Sequence, residues 1–134
     1  MRPRVIPCLL LKNHGLVKTI NFKNPRYLGD PINTVRIFNN KEVDEICILD
    51  ITATRENKEP DIEYLKEIAS EAFIPLSYGG GITSMKQVEQ IFHVGYEKVI
   101  MNTALMNQET LVCEAVTYAG SQSIVASIDV KRDI

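Results

Sequence analysis

Short, nearly continuous apolar runs alternate along this chain with segments whose apolar residues recur at helical spacing. RVIPCLLL (4–11), EICILDI (45–51), IPLSY (74–78), KVIMN (98–102) and SIVASID (123–129) have the length and character of buried strands. Between them, PINTVRIFNNKEV (31–43), DIEYLKEIASEAF (61–73), the stretch from Ser84 to Gly95, and TLVCEAVTYAG (110–120) predict helices. Ile62, Leu65, Ile68, Ala69 and Ala72 share one helical face, and Asp61 ahead of them suits an N-cap. Pro31 fits a first helical turn. Ser84 with Gln87 forms a capping-box pattern, and Gly95 supplies the stop. LVKTINF (16–22) alternates weakly and predicts a short extra strand or hairpin.

Strands buried on both faces and separated by helices mean a parallel α/β sheet. The order βαβαβαβαβ fits either a doubly wound open sheet or a TIM barrel. Five strands are roughly half of a barrel of about 250 residues. With no linker visible, residues 1–134 read as one domain. One internal echo bears on the choice: VIPCLLLK (5–12) aligns with IVASIDVK (124–131), so Lys12 falls on Lys131 and Leu10 on Asp129. The fifth strand then resembles the first beginning again, as in a fold of duplicated halves.

Composition narrows the functional classes. The chain is 45% hydrophobic and 24% charged with a formal net charge of −2, and its Lys and Arg form no stripe. Nucleic-acid binding is therefore not expected, because phosphate affinity rests on clustered positive charge. No apolar run approaches the length of a membrane span, and Lys12 interrupts the only stretch resembling a signal peptide. Cys8, Cys47 and Cys113 are widely spaced in apolar surroundings, which predicts buried free thiols in a reducing cytoplasm. No metal or other cofactor is called for.

In parallel α/β folds ligands bind beyond the carboxyl ends of the strands. One strand here runs into Gly79, Gly80 and Gly81, followed by the Ser84 helix. Exposed backbone N–H groups beside a helix start make a concave anion site, with Asn102 and Thr103 from the next strand end as further donors. A tight turn needing positive φ is the plainer alternative. Asp50 and Asp129 end buried strands, where a carboxylate is either bonded into loop backbone or free for acid/base work. His14 and His93 read as turn and helix-end residues, and ATRENKEPD (53–61) as a solvated loop.

As a set, PCLLLKNHGLVKTINF, GDPI, DEICILDITAT, FIPLSYGGGITS, EKVIMNTA and GSQSIVASIDVKR resemble the cyclase subunit of imidazole glycerol phosphate synthase, across the whole chain. The resemblance implies a (βα)8 barrel, of which this chain covers the N-terminal half-barrel plus the fifth strand. It implies an enzyme that joins ammonia from a glutaminase partner to a bis-phosphorylated ribulosyl substrate, then cleaves and cyclises the product. By motif, Gly79, Gly80, Gly81, Asn102 and Thr103 match a substrate phosphate site. Asp129 matches one of two catalytic aspartates, and Lys18 a substrate-side lysine. Arg4, Glu45 and Lys98 match the charged ring where ammonia enters.

Two departures stand out. The family's other catalytic aspartate lies in a C-L-D-x-K pattern, where this chain reads Cys8-Leu9-Leu10-Leu11-Lys12. Leucine moves no proton, and losing such a group costs on the order of 10²–10⁴ in rate. A divergent branch linked to amidation of bacterial surface-polysaccharide sugars is the nearer match. The other departure is length: the sequence is either a fragment of a longer product or a half-barrel that must pair. An isolated open half exposes strand edges and an apolar face, so association, including with copies of itself, or instability is expected. Three readings follow: an ammonia-using subunit for sugar amidation, an orthodox histidine-pathway cyclase, or a non-catalytic phosphate-binding half-barrel that stabilises a partner.

Overall fold

The computed structural model describes residues 1–21 and 23–132. In chain order these form β1 (Cys8–Lys12), β2 (Gly15–Ile20), β3 (Lys23–Gly29), α1 (Pro31–Asn40), β4 (Ile46–Asp50), α2 (Ile62–Glu71) and β5 (Leu76–Gly79). Then follow α3 (Met85–His93), β6 (Lys98–Met101), α4 (Thr103–Asn107), α5 (Glu109–Ala119) and β7 (Ile124–Ala126). All belong to one sheet of order β3-β2-β1-β4-β5-β6-β7. The five strands read from sequence as βα units, β1, β4, β5, β6 and β7, pair in parallel, as helical crossovers require.

The helix starts follow their sequence signals. Asp30 and Asp61 cap α1 and α2 by accepting from the amides of Asn33 and Tyr64. Ser84 and Gln87 complete the capping box of α3. The ends differ from expectation where the backbone loses a donor or a partner. β1 begins at Cys8 rather than residue 4, because Pro7 has no N–H to donate; its carbonyl still accepts from Cys47. β7 ends at Ala126, not residue 129. Beyond the bond from Ser127 N–H to Met101 carbonyl at 2.9 Å, β6 has already turned into α4, which leaves no ladder to join. Asp129 thus follows the strand rather than ending it.

The segment 16–22 is the first strand of an antiparallel hairpin, β2–β3, docked on β1; Phe22 lies outside the described residues. Asn13 and His14 form its entry turn with φ of 49° and 61°, the left-handed pair that a two-residue hairpin demands. The hairpin alternative is the one realised, whereas the five-residue α4 is not among the helices the sequence predicts. β3 is polar and exposed, and α4 is too short to show a period.

One face of the parallel sheet is covered. Leu11, Ile46, Ile48, Leu76, Tyr78, Val99 and Met101 are buried there with Val35, Leu65, Ile68, Val88, Ile91, Leu111 and Ala115 of the helices. The opposite face is open and layered by register. Its lower row, at the amino ends of the strands, is Cys8, Cys47, Ser77 and Lys98. The next row up is wholly apolar: Leu10, Leu49, Gly79, Ile100 and Val125. The cysteines do not conform to the burial read from sequence. Cys8 and Cys113 are exposed and Cys47 is half-buried, since Cys8 and Cys47 face the open side and Cys113 the outside of α5.

Ile48 is fully buried at the centre of the covered face. Ile48→Ala is expected to lower unfolding free energy by about 2–5 kcal/mol, read from urea denaturation with unchanged slope.

Candidate functional site

The carboxyl ends of β4, β5 and β6 border a cleft of about 350 Å³ whose lining includes Asp50, Gly79, Gly80, Gly81, Asn102, Thr103 and Asp129. Seven of the sequence-predicted residues are thereby brought into one place. The glycine loop is shaped by close approach. A Cβ on Gly80 would lie 2.7 Å from the Asp50 carbonyl oxygen, and one on Gly81 would strike the Lys58 carbonyl. Both have positive φ, 131° and 65°. The plainer turn requirement is therefore met in full, and met together with something more. Gly80 N–H faces Ile100 at the end of the β5–β6 ladder, whereas among the described residues the amides of Gly81 and Ile82 donate to no protein acceptor. Their N–H groups are left for an anion, as in a backbone nest.

The start of α3 contributes less than its position suggests. Gln87 Oε1 already accepts from Thr83 N–H at 2.7 Å and Ser84 N–H at 3.2 Å, so the capping box consumes donors that an anion would use. Thr103 instead opens α4 beside the loop. A second cleft of about 400 Å³ adjoins the first, sharing Thr54, Gly81, Ile82, Thr103 and Ala104.

The two rim aspartates separate cleanly. Asp50 Oδ1 accepts from Thr52 N–H at 2.9 Å, Thr52 Oγ1 at 3.1 Å and Ala53 N–H at 3.0 Å. Its carboxylate organises the β4–α2 loop and presses that loop on the glycines. Asp129 is exposed, and its Oδ2 accepts from Asn102 Nδ2 at 3.0 Å. That contact, which strand patterns could not reveal, ties an acid/base candidate to a phosphate-loop candidate. Lys18 sits exposed on β2 opposite Arg26 and does not line the cleft.

At the other end of the open face, Glu45 is only 4% exposed. Its Oε2 accepts from Lys98 Nζ at 2.8 Å and Arg4 Nη2 at 3.1 Å. A buried carboxylate is tolerable only when paired in this way. The charged residues predicted to form one cluster do form one. His14, given little weight from sequence, fastens the hairpin turn to α2. Its Nε2 lies 2.8 Å from Asp61 Oδ2 and its ring stacks on Tyr64 at 4.1 Å. The Tyr64 hydroxyl donates to the His14 carbonyl, and burial pushes its pKa up to about 12.

Residues 4–134 match the family described as histidine biosynthesis protein. The chain belongs to that family. Among curated members it is 54% identical over 98% of its length to "Putative imidazole glycerol phosphate synthase subunit hisF2" of Pseudomonas aeruginosa. It is 47% identical over its whole length to the HisF subunit of the same description from Leptospira interrogans, and 46% over 98% to a hisF3 counterpart from Vibrio vulnificus. It covers 53%, 53% and 51% of those proteins, so it spans about half the length of the relatives it matches. The parallel βα units are accordingly those of a HisF-like TIM barrel, over about half its extent. No helix of the described residues is long and apolar enough to cross a membrane.

Asp50→Ala is expected to cost about 1–3 kcal/mol by stranding the donors of its loop. Asp129→Asn, on the surface, should change stability by less than about 0.5 kcal/mol. Equal effects in urea unfolding would contradict the division of roles between the two aspartates.

Proposed function

We propose that this chain is the first half of a closed barrel that conducts ammonia from a glutaminase partner to a phosphorylated sugar at its rim. The observation that carries the reading is the layering of the open face. A mixed-charge cluster of Arg4, Glu45 and Lys98 lies at the foot of the strands. Above it comes the apolar row of Leu10, Leu49, Gly79, Ile100 and Val125, and above that the glycine loop with Asn102, Thr103 and Asp129. Neutral ammonia crosses an apolar belt readily, whereas ammonium would lose its hydration there. Opening one ion pair at Glu45 supplies a gate. The free amides at the rim hold a phosphate group, Asp129 serves as the acid/base group, and Lys18 on the hairpin reaches the substrate when the hairpin folds over the rim.

Within the family, the reading favours sugar amidation for surface polysaccharides over the orthodox cyclase reaction. Leu10 stands at the β1 end of that row, in register with Leu49, where the resembled pattern has its second aspartate. A carboxylate there would face an apolar belt with no donor in its own row. The orthodox reading keeps one point in its favour, the Asn102–Asp129 contact at the rim. The third reading, a non-catalytic half-barrel stabilising a partner, has the same phosphate loop and no chemistry.

The discriminating experiment mixes the chain with a glutaminase subunit and measures ammonia-dependent turnover of the bis-phosphorylated ribulosyl substrate. No turnover is expected from the wild type; turnover would overturn the amidation branch. Stimulated glutamine hydrolysis is expected in the mixture, and its absence would favour the non-catalytic reading.

The open face also bears on assembly. Val125, Ile128 and Val130 are exposed beside β7, and β7 is paired only with β6 among the described residues. The isolated chain is expected to sediment as a dimer or larger species at micromolar concentration. A stable monomer on dilution would contradict this.

A further inference from the structure

The lower row of the open face holds two sulfur atoms that the ammonia-channel reading does not use. Cys8 of β1 and Cys47 of β4 are register partners on adjacent parallel strands, and their Sγ atoms are 3.8 Å apart in one shared hydrogen bond. Adjacent strands lie about 4.8 Å apart, within the Cα separations of about 4.4–6.8 Å that a disulfide spans. Rotation about χ1 and a slight approach of the two strands close the remaining gap from 3.8 Å to a bond. In the isolated chain Cys8 is exposed and Cys47 half-buried, so a small solute reaches the first and the second lies behind it. Cys113 stands apart on α5.

The geometry points to an intramolecular redox site: Cys8 and Cys47 form a reversible disulfide on exposure to hydrogen peroxide, cross-linking β1 to β4 one pleat above Glu45. The Cys8 thiolate attacks one peroxide oxygen and the O–O bond breaks, leaving a sulfenic acid and hydroxide, which takes up a proton to become water. The Cys47 sulfur then attacks the Cys8 sulfur. The S–O bond breaks, and hydroxide leaves with the Cys47 proton as a second water. Two thiols and one peroxide thus become one disulfide and two waters, and a dithiol reductant reverses the step.

The surroundings suit these roles. Its hydrogen bond with Cys47 holds the Cys8 pKa down to about 7, outweighing partial burial. The same bond, with burial and the Glu45 carboxylate, pushes Cys47 up, while the Ser77 hydroxyl opposes that rise. Lys98, next in the row beyond Ser77, and Arg4 are both held by Glu45. Once Cys8 is a neutral sulfenic acid, the negative charge that holds the Cys47 proton is gone. Cys8 is therefore the attacking sulfur and Cys47 the resolving one.

The test treats the purified chain with stoichiometric peroxide, then alkylates it and maps peptides without reduction. Three alkylatable thiols are expected to fall to one, Cys113, with a Cys8–Cys47 linked peptide that dithiothreitol removes. The rate of Cys8 loss should rise with pH and level off above about 7. Cys47→Ser should stop at a dimedone-trappable sulfenic acid on Cys8, and Cys8→Ser should abolish the fast reaction. Cys8 and Cys47 still alkylatable after peroxide, or cross-links only between chains through Cys113, would overturn the assignment.

Discussion

Close backbone contact at the end of β5 is the constraint on which the rim depends. The Asp50-organised loop and the Lys58 carbonyl press against Gly80 and Gly81 so tightly that neither position admits a side chain. Both glycines have positive φ, and the amides of Gly81 and Ile82 meet no protein acceptor among the described residues. A buried or half-buried donor without a partner is costly. The fold accepts that cost in the bordering cleft, where a bound anion would remove it.

Parallel register then propagates order down the open face. Because neighbouring strands are in step, register partners fall into common rows, and residues two apart on a strand fall into successive rows of one face. Chemistry is segregated by height: charge at Glu45, sulfur and hydroxyl beside it, hydrocarbon at Leu10 and Leu49, and polar groups above. Glu45 is the most constrained member. Almost wholly buried, it depends on Lys98 and Arg4 for compensation, so the foot of the strands behaves as one charged unit. Leu10 takes its meaning from its row: a single leucine converts the middle of the face into an unbroken apolar layer.

Much of this was legible in the sequence. Buried parallel strands announce themselves as continuous apolar runs, and Asp61, Ser84 and Gln87 mark helix starts through local hydrogen bonds that need no tertiary information. What escaped depends on partners distant in the chain. β7 stops where β6 has left the sheet, which its own apolar run cannot disclose. The cysteines looked buried because their neighbours are apolar, yet alternation puts Cys8 and Cys47 on the uncovered face. Asp50 and Asp129 look alike as strand-end carboxylates. Only the loop that folds back on Asp50, and the Asn102 side chain that reaches Asp129, distinguish scaffold from candidate chemistry. The contact of His14 with Asp61 and Tyr64 spans 47 and 50 residues and lies beyond any local pattern.

The most direct measurement is a titration of the isotopically labelled chain with inorganic phosphate, followed through its amide resonances. Saturable shifts centred on Gly81 and Ile82, extending to Asn102 and Thr103, are the expected result. Unmoved resonances for those two amides at phosphate concentrations that shift exposed lysines elsewhere would contradict it.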